Sequence, residues 1–341
     1  MKKVFLCIMV ALAVCGCSHN NKSEQEPQKK GSSGKTLELL IVANDNVYVG
    51  DTKELVDSIF GSLQDCLPQP EKKFDIVNIP ISSYQNTDMF KNHRNVIILD
   101  VNTGNSGKVY KHIDEYAAPQ VIFDFAMKSP QALQESLRGY AEMMLDELYK
   151  AEHRRIIKAY RGMDGYELNK AIEEQFAFRL QFSNEFAMAK QAEDFAWVRK
   201  EAKDFGMGVL IDVMPYKNES AFSENSILDH IDTIMKRYVP STEPGSYTGI
   251  ERRKNAKGEY LAQILSRTVE FPGSEYCVET RGCWRSFGDF MGGPFVAYSV
   301  LSPDKKYVVT LMGYVYCPRN QPWTKRDLLM QVESVCWSLK W

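Results

Sequence analysis

The fold of the second half of the chain is decided by Tyr307-Val-Val-Thr-Leu-Met-Gly-Tyr-Val-Tyr316, which is apolar at nearly every position and does not alternate. A strand of this kind is usually covered on both faces of its sheet. Two amphipathic helices are available to cover it. One follows Ser223, and the other follows Thr324, which has Asp327 at capping-box spacing. The sequence therefore predicts a sheet between two helices.

Shorter runs rich in β-branched and aromatic residues precede this segment. In the second half they predict strands at residues 179–182, 194–201, 209–214, 263–271, 276–284 and 295–301. Pro272-Gly273 and Pro303-Asp304 mark turns between neighbouring runs, so we expect an antiparallel meander.

The first half of the chain has a different order of predicted strands and helices. It predicts strands at residues 36–44, 74–79, 95–101 and 120–126. Capping patterns predict helices that begin at Asp51, at Ser129-Pro130 and at Asp164. The fold class is therefore α/β (α+β) in two domains, an α/β domain with a helical connector over residues 37–176 and an α/β/α sandwich over residues 177–341.

The first residues look like a lipoprotein signal. Lys2 and Lys3 precede an apolar run over residues 4–15, which is shorter than the ~20 residues of a membrane-spanning helix. Gly16 then leads into Cys17, and Cys15 is a rival thiol that follows the branched Val14. We expect a signal peptide at residues 1–16, an acylated Cys17 and a flexible tether over residues 17–36. An ordinary secretory signal is the alternative.

Composition limits the class of partner. The formal net charge of the chain is −2, and removal of the two lysines at the start changes it to −4. No basic excess indicates nucleic acid. Ser18 does not match an inner-membrane retention signal, and no dense acidic cluster of a surface-exported lipoprotein follows it. We therefore expect an outer-membrane protein that faces the periplasm, held in the lipid bilayer through acylated Cys17.

The cysteines after Cys17 are odd in number. No C-x-x-C occurs, so neither a redox motif nor a zinc knuckle is indicated. We expect mostly buried free thiols, with one bond to Cys336 as the main alternative. The set is Cys66, Cys277, Cys283, Cys317 and Cys336.

Two blocks carry a resemblance to a known family. They are His93-Arg94-Asn95-Val96-Ile97-Ile98, and Val278-Glu-Thr-Arg-Gly-Cys-Trp284 with Asp289-Phe-Met-Gly-Gly-Pro-Phe295. With the signal, the chain resembles a Bacteroidetes family of lipoproteins that is known only as a domain of unknown function. The resemblance implies a location and no activity. The element order from about residue 177 is similar to the PsbP-like α/β/α sandwich, which implies an accessory role in a larger assembly.

Candidate catalytic residues are few. Asp45, Asp100 and Asp124 each follow or end a predicted strand, where carboxylates could bind a metal or act as acid and base with His93. A hydrolase or metal-dependent enzyme is therefore the alternative function. Aspartate is also a common residue at strand ends, and no hydrolase, zincin, P-loop or dinucleotide motif is present. No cofactor is predicted.

Four basic side chains form a candidate anion contact: His93, Arg94, Arg154 and Arg155. The first pair precedes a predicted strand, and the second pair lies near the end of the long helix. Clustered positive charge attracts anionic head groups. The alternatives are a hydrogen-bonded loop anchor and a solvated helix end.

The most distinctive candidate is an apolar hairpin tip in the second domain. Its residues are Trp284, Phe287, Asp289, Phe290, Met291, Gly292, Gly293 and Pro294. Aromatic and methionine side chains at exposed tips are typical of protein-binding hot spots. They could instead fold back over the core. The leading hypothesis is a non-enzymatic lipoprotein that binds another envelope protein or component.

Overall fold

The structure is a computed structural model, and it describes residues 29–241, 243–319 and 322–341. The predicted signal peptide, Cys17 and most of the predicted tether lie outside the described residues. The predicted class is confirmed, because the described chain forms a mixed α/β structure with two sheets in two domains.

The first domain is a five-stranded sheet with the order β2-β1-β3-β5-β4. Only β4 runs antiparallel to its neighbour. One face is covered by α1 and α4, and the short helices α2 and α3 contribute to the cover of the other. The elements are β1 (Glu38–Val42), α1 (Gly50–Phe60), β2 (Asp75–Ile79), α2 (Ile81–Asn86), α3 (Asp88–Lys91), β3 (Asn95–Val101), β4 (Lys108–Ile113), β5 (Val121–Met127) and α4 (Pro130–Gly162).

The second domain has the predicted sheet between two helices. The helix α7 covers one face and α6 the other. The strand order is β10-β11-β12-β13-β8-β7-β6, all antiparallel, and β9 also pairs with β11. The elements are α5 (Tyr166–Phe176), β6 (Ala187–Ala192), β7 (Phe195–Glu201), β8 (Gly206–Pro215), a 3-10 turn (Glu219–Phe222), α6 (Glu224–Tyr238), β9 (Tyr247–Ile250), β10 (Leu265–Thr268), β11 (Cys277–Phe287), β12 (Gly292–Leu301), β13 (Tyr307–Tyr316) and α7 (Lys325–Trp337).

The predicted helix caps divide into two groups. Ser129, Ser223 and Thr324 each accept a hydrogen bond from a backbone N–H of the first helical turn, as predicted. The prediction at Asp51 is wrong, because α1 begins one residue earlier and has no side-chain cap. The prediction at Asp164 is also wrong, because α5 begins after Gly165.

The strand predictions fail where strands are short or polar. Residues 179–182 form only isolated bridges, through Arg179 to Lys340 and through the neighbouring Ser183 to Asp164. The strands β4, β6 and β9 were not predicted.

The helix α5 packs with the second domain, because Ile172 lies in that domain's core.

The two domains share a packed boundary between α4 and α7. Met330 of α7 lies in the core of the first domain, and Tyr160 of α4 lies in the core of the second. His153 stacks on Trp337 with ring centroids 4.9 Å apart, and its Nδ1 lies 3.0 Å from Ser334 Oγ. Apolar and polar contacts therefore both fix the domains against each other. Within the described ranges, no helix is long and apolar enough to cross a membrane.

Candidate functional site

A groove of about 740 Å³ crosses the boundary between the two domains at the hairpin of β11 and β12. This volume is within the usual range of ligand clefts. The first domain contributes residues 66–69, and the second contributes residues 261–263, β11, the hairpin tip and the start of α7. Of the predicted tip residues, Trp284, Asp289, Phe290, Met291, Gly292 and Gly293 line this groove.

The tip residues have different environments. Phe290 is fully exposed to solvent. Met291 is half-buried against the core beneath α6, and Phe287 stacks on Tyr247 with centroids 4.7 Å apart. Pro294 is buried in β12. The prediction of an exposed tip thus applies to Phe290, whereas its two apolar neighbours fold back.

The exposed position of Phe290 is set by the local backbone. Ser286 N donates a hydrogen bond to Met291 O at 2.8 Å and closes the hairpin. Gly288, with a φ of +98°, lies in the left-handed region that favours glycine. A Cβ at Gly293 would lie 2.0 Å from Val315 O, so only glycine allows this strand to approach β13. The hairpin is therefore closely packed against β13, and it carries one exposed aromatic side chain, that of Phe290.

Trp284 forms an inner wall of the groove. Its Nε1 donates a hydrogen bond to Val315 O at 3.1 Å, and its ring packs edge-on against Tyr314. It is buried although it lines the groove. Trp284 therefore supports the site and offers only a small area to a partner.

Three cysteines line the same groove: Cys66, Cys283 and Cys317. Cys283 Sγ lies 3.7 Å from Cys66 O, across the domain boundary. Burial raises the pKa of Cys66 to about 12 and that of Cys283 to about 11. All five described cysteines are free thiols, and Cys283 is the one that is not fully buried.

A buried ionic network lies between the sheet and α7. The Nε of Arg281 lies 3.0 Å from Glu279 Oε1, and its Nη2 donates a hydrogen bond to Glu333. The Tyr298 hydroxyl lies 2.7 Å from Glu333 Oε1 and accepts a hydrogen bond from Trp337 Nε1 at 2.9 Å. Although burial opposes ionisation of Glu279, the charge of Arg281 lowers its pKa to about 2. This network connects β11 and β12 to α7 in the interior of the second domain.

Of the four cations in the predicted anion contact, His93, Arg94 and Arg155 pair with carboxylates of the protein itself. Arg94 Nη1 and Arg155 Nη1 each lie 2.9 Å from a carboxylate oxygen of the fully buried Glu152. His93 Nε2 lies 2.8 Å from Glu38 Oε1. Arg154, next to Arg155 on α4, is exposed. His93 and Arg94 are loop anchors at the start of β3.

The structure does not bring all four residues of the enzyme alternative together. His93 precedes β3 and Asp100 lies near the other end of this seven-residue strand, so about 20 Å separates them. Asp45 is exposed in the loop that follows β1. Asp124 lies in the middle of β5, opposite Tyr110 of β4, and does not end a strand. In the described part of the chain, no three His, Cys, Asp or Glu side chains are grouped so that they could hold a metal ion.

Several groove residues had no signal in the sequence. Leu67, Leu261, Gln263 and Tyr316 line the groove. Gln263 Oε1 accepts a hydrogen bond from Cys66 N at 3.1 Å. Leu67 precedes the other three by almost 200 positions or more, so no local pattern could join it to them.

Family models cover most of the described chain. A model described as Domain of unknown function (DUF4837) matches residues 166–338, just over half of the chain. A model described as Domain of unknown function (DUF8532) matches residues 32–161. A search of curated proteins gave no match.

Proposed function

The chain belongs to the family described as Domain of unknown function (DUF4837), and we propose that it is a non-enzymatic binding protein of the outer membrane. In this proposal acylated Cys17 anchors the chain, the folded body faces the periplasm, and the body binds another envelope protein. Phe290 and the groove beside it are the docking surface.

The observation that carries the proposal is the environment of Phe290. A fully exposed phenylalanine loses the favourable free energy of burial, roughly 2 kcal/mol. Here it stands on a close-packed hairpin at the rim of a groove that both domains line. An aromatic side chain that enters a partner's apolar pocket is a common hot spot. The occupant that fits is a protein with such a pocket.

The anchor rests on the start of the sequence. The positive start, the short apolar run and Gly16-Cys17 match a lipoprotein signal. Acyl chains on a cysteine give stable membrane attachment when two or more are present. The likeness of the element order to the PsbP-like sandwich favours an accessory role, by analogy alone.

Affinity capture from solubilised envelopes tests the proposal. The lipidated protein should recover one partner in stoichiometric amount, and Phe290→Ser should reduce the recovery at least tenfold, since a lost hot spot costs about 1.4 kcal/mol or more. Tyr166→Ser is the matched control, because Tyr166 is an exposed aromatic residue outside the groove.

A Cys17→Ser variant separates anchoring from docking. It should leave the membrane fraction and still bind the partner in detergent extracts. Equal capture by Phe290→Ser and Tyr166→Ser would contradict the docking surface. Persistent membrane attachment of Cys17→Ser would contradict the anchor.

A further inference from the structure

Two cysteines from different domains, Cys66 and Cys283, lie close together in the lining of the groove. Cys283 Sγ lies 3.7 Å from the carbonyl oxygen of Cys66, although the residues are 217 positions apart. Since that oxygen is within about 2.8 Å of its own Cα along the bonds, the Cys283 sulfur lies within about 6.5 Å of Cys66 Cα. The sulfur of one cysteine thus contacts the backbone of the other, and the disulfide proposed below would hold the two Cα atoms roughly 4.4–6.8 Å apart.

The two side chains also share surroundings. The groups that act electrostatically on the Cys66 thiol are Arg281, Asp65, Cys283 and Glu279, and Glu251 acts on Cys283. Residues 279, 281 and 283 alternate along β11 and therefore project from one face. The Cys66 thiol thus lies near the row of side chains that includes Cys283.

We propose that Cys66 and Cys283 are a disulfide-forming pair that an external small-molecule disulfide can oxidise to a covalent bond between the two domains. The inference does not depend on the proposed function. The thiols of Cys66 and Cys283 are the modification site.

The chemistry is thiol–disulfide exchange, and it balances without a metal. The Cys283 thiolate attacks the external disulfide, forms a mixed disulfide and releases one small thiol. The Cys66 thiolate then attacks the Cys283 sulfur, which forms the interdomain bond and releases the second thiol. Two protein thiols are oxidised, and one external disulfide is reduced to two thiols.

The order of attack follows from access. Cys283 is partly exposed and has the lower pKa of the two, about 11 against about 12. At neutral pH the thiolate fraction is therefore small, and the first step should be slow. Its rate should rise about tenfold per pH unit from pH 7 to pH 9, as long as the pH is well below the pKa.

The remaining thiols provide internal controls. Cys277 and Cys336 are nearly inaccessible in the second core, so an external reagent should not reach them in the folded protein. Cys317 lines the groove, and its Sγ donates to Arg319 O at 2.7 Å. Cys317 is nearly as buried as Cys277, so it tests whether a position beside the groove is sufficient for oxidation.

The experiment uses the full-length protein with oxidised glutathione and maps disulfides by mass spectrometry of unreduced peptides. The expected product is a Cys66–Cys283 bond with a raised melting temperature, because the bond closes a long loop. Cys66→Ser should stop at a glutathione adduct on Cys283, and Cys317→Ser should behave as wild type.

Three outcomes would overturn the inference. They are a persistent glutathione adduct on Cys283 in the wild-type protein, a bond that involves Cys317, and unreacted groove thiols after prolonged incubation at pH 9. Melting curves of both serine variants are measured before oxidation to show that each is folded. A missing disulfide is then due to the substituted cysteine and not to misfolding.

Discussion

At the scale of single residues, exposure separates Phe290 from Met291. The Phe290 side chain contacts solvent, whereas Met291 packs against the core beneath α6. Sequence spacing alone makes the two residues equivalent, since they are adjacent on one tip. Their roles differ because Met291 accepts the backbone hydrogen bond that closes the hairpin, next to the start of β12, whereas Phe290 lies in the turn.

The first prediction compares these two neighbours by thermal unfolding of the soluble body. Phe290→Ser should shift the melting temperature by less than about 1 °C, since it removes no buried contact. Met291→Ser should destabilise by roughly 1–2 kcal/mol, because it removes a half-buried apolar side chain. A large loss for Phe290→Ser would show that its ring covers the core, and it would remove the docking surface.

The second prediction concerns Tyr84, whose buried hydroxyl has no hydrogen-bond partner. Burial also raises the pKa of Tyr84. Tyr84→Phe should stabilise the protein by about 1 kcal/mol, because it removes an unsatisfied polar group without a change of shape. Urea unfolding measures the effect, and Tyr160→Phe, which loses a 3.1 Å bond to Gln331, should have the opposite sign.

At the scale of secondary structure, the start of α7 shows how the domains are held together. Thr324 Oγ1 accepts a hydrogen bond from Asp327 N at 3.1 Å, as the sequence predicts. Glu71 of the first domain accepts two more, from Lys325 N at 3.1 Å and from Arg326 N at 2.8 Å. A carboxylate at a helix N-terminus also complements the helix dipole.

The third prediction is that Glu71→Ala destabilises the protein by about 1–2 kcal/mol, through the loss of this cap. Glu71→Gln should lose less, because its amide oxygen still accepts hydrogen bonds. Urea unfolding gives both values. Glu54→Ala, an exposed glutamate on α1, is the control and should change little. Equal losses for Glu71→Ala and Glu54→Ala would contradict the interdomain cap.

The same helix shows what the sequence can and cannot predict. The Thr324 cap and the ends of β13 follow from local patterns, since a side chain caps its own first turn and an apolar run sets strand length. The Glu71 cap has no local signal, because its partners lie more than 250 residues away. Likewise β4 and β6 are largely polar edge strands, and they lack the apolar runs from which the other strands were predicted.

The candidate site also has one part that the local sequence could predict and one part that it could not. The apolar tip around Phe290 was recognisable because such side chains are unusual in a turn. The opposite wall at residues 66–69 was not recognisable, since it belongs to another domain. The pairing of Arg94 and Arg155 with Glu152 was not recognisable either, because a helix pattern does not reveal that Glu152 is buried between them.

At the scale of the whole molecule, stability depends on the buried charges between the sheet and α7. Glu279 has a pKa of about 2 in the folded protein, against about 4.3 for a free glutamate. A lowered folded-state pKa stabilises the protein above the unfolded pKa. This stabilisation is lost as the pH falls from about 4.3 towards 2.

The fourth prediction is that Glu279→Gln destabilises the protein by about 3–5 kcal/mol at pH 7, because Arg281 loses one of its buried partners. It should also flatten the loss of stability between pH 4.3 and 2. Urea unfolding across this pH range measures both effects. Glu275→Gln, at an exposed glutamate, should keep the wild-type slope. An unchanged acid slope in Glu279→Gln would contradict the lowered pKa.

The central claim is that Phe290 contacts a partner protein, and photo-crosslinking tests it most directly. A photoreactive phenylalanine analogue replaces Phe290 in one variant and the exposed Tyr166 in a second. Irradiation of intact cells should give one discrete adduct of defined mass from position 290 and none from position 166. No adduct from position 290, or the same adducts from both positions, would contradict the account.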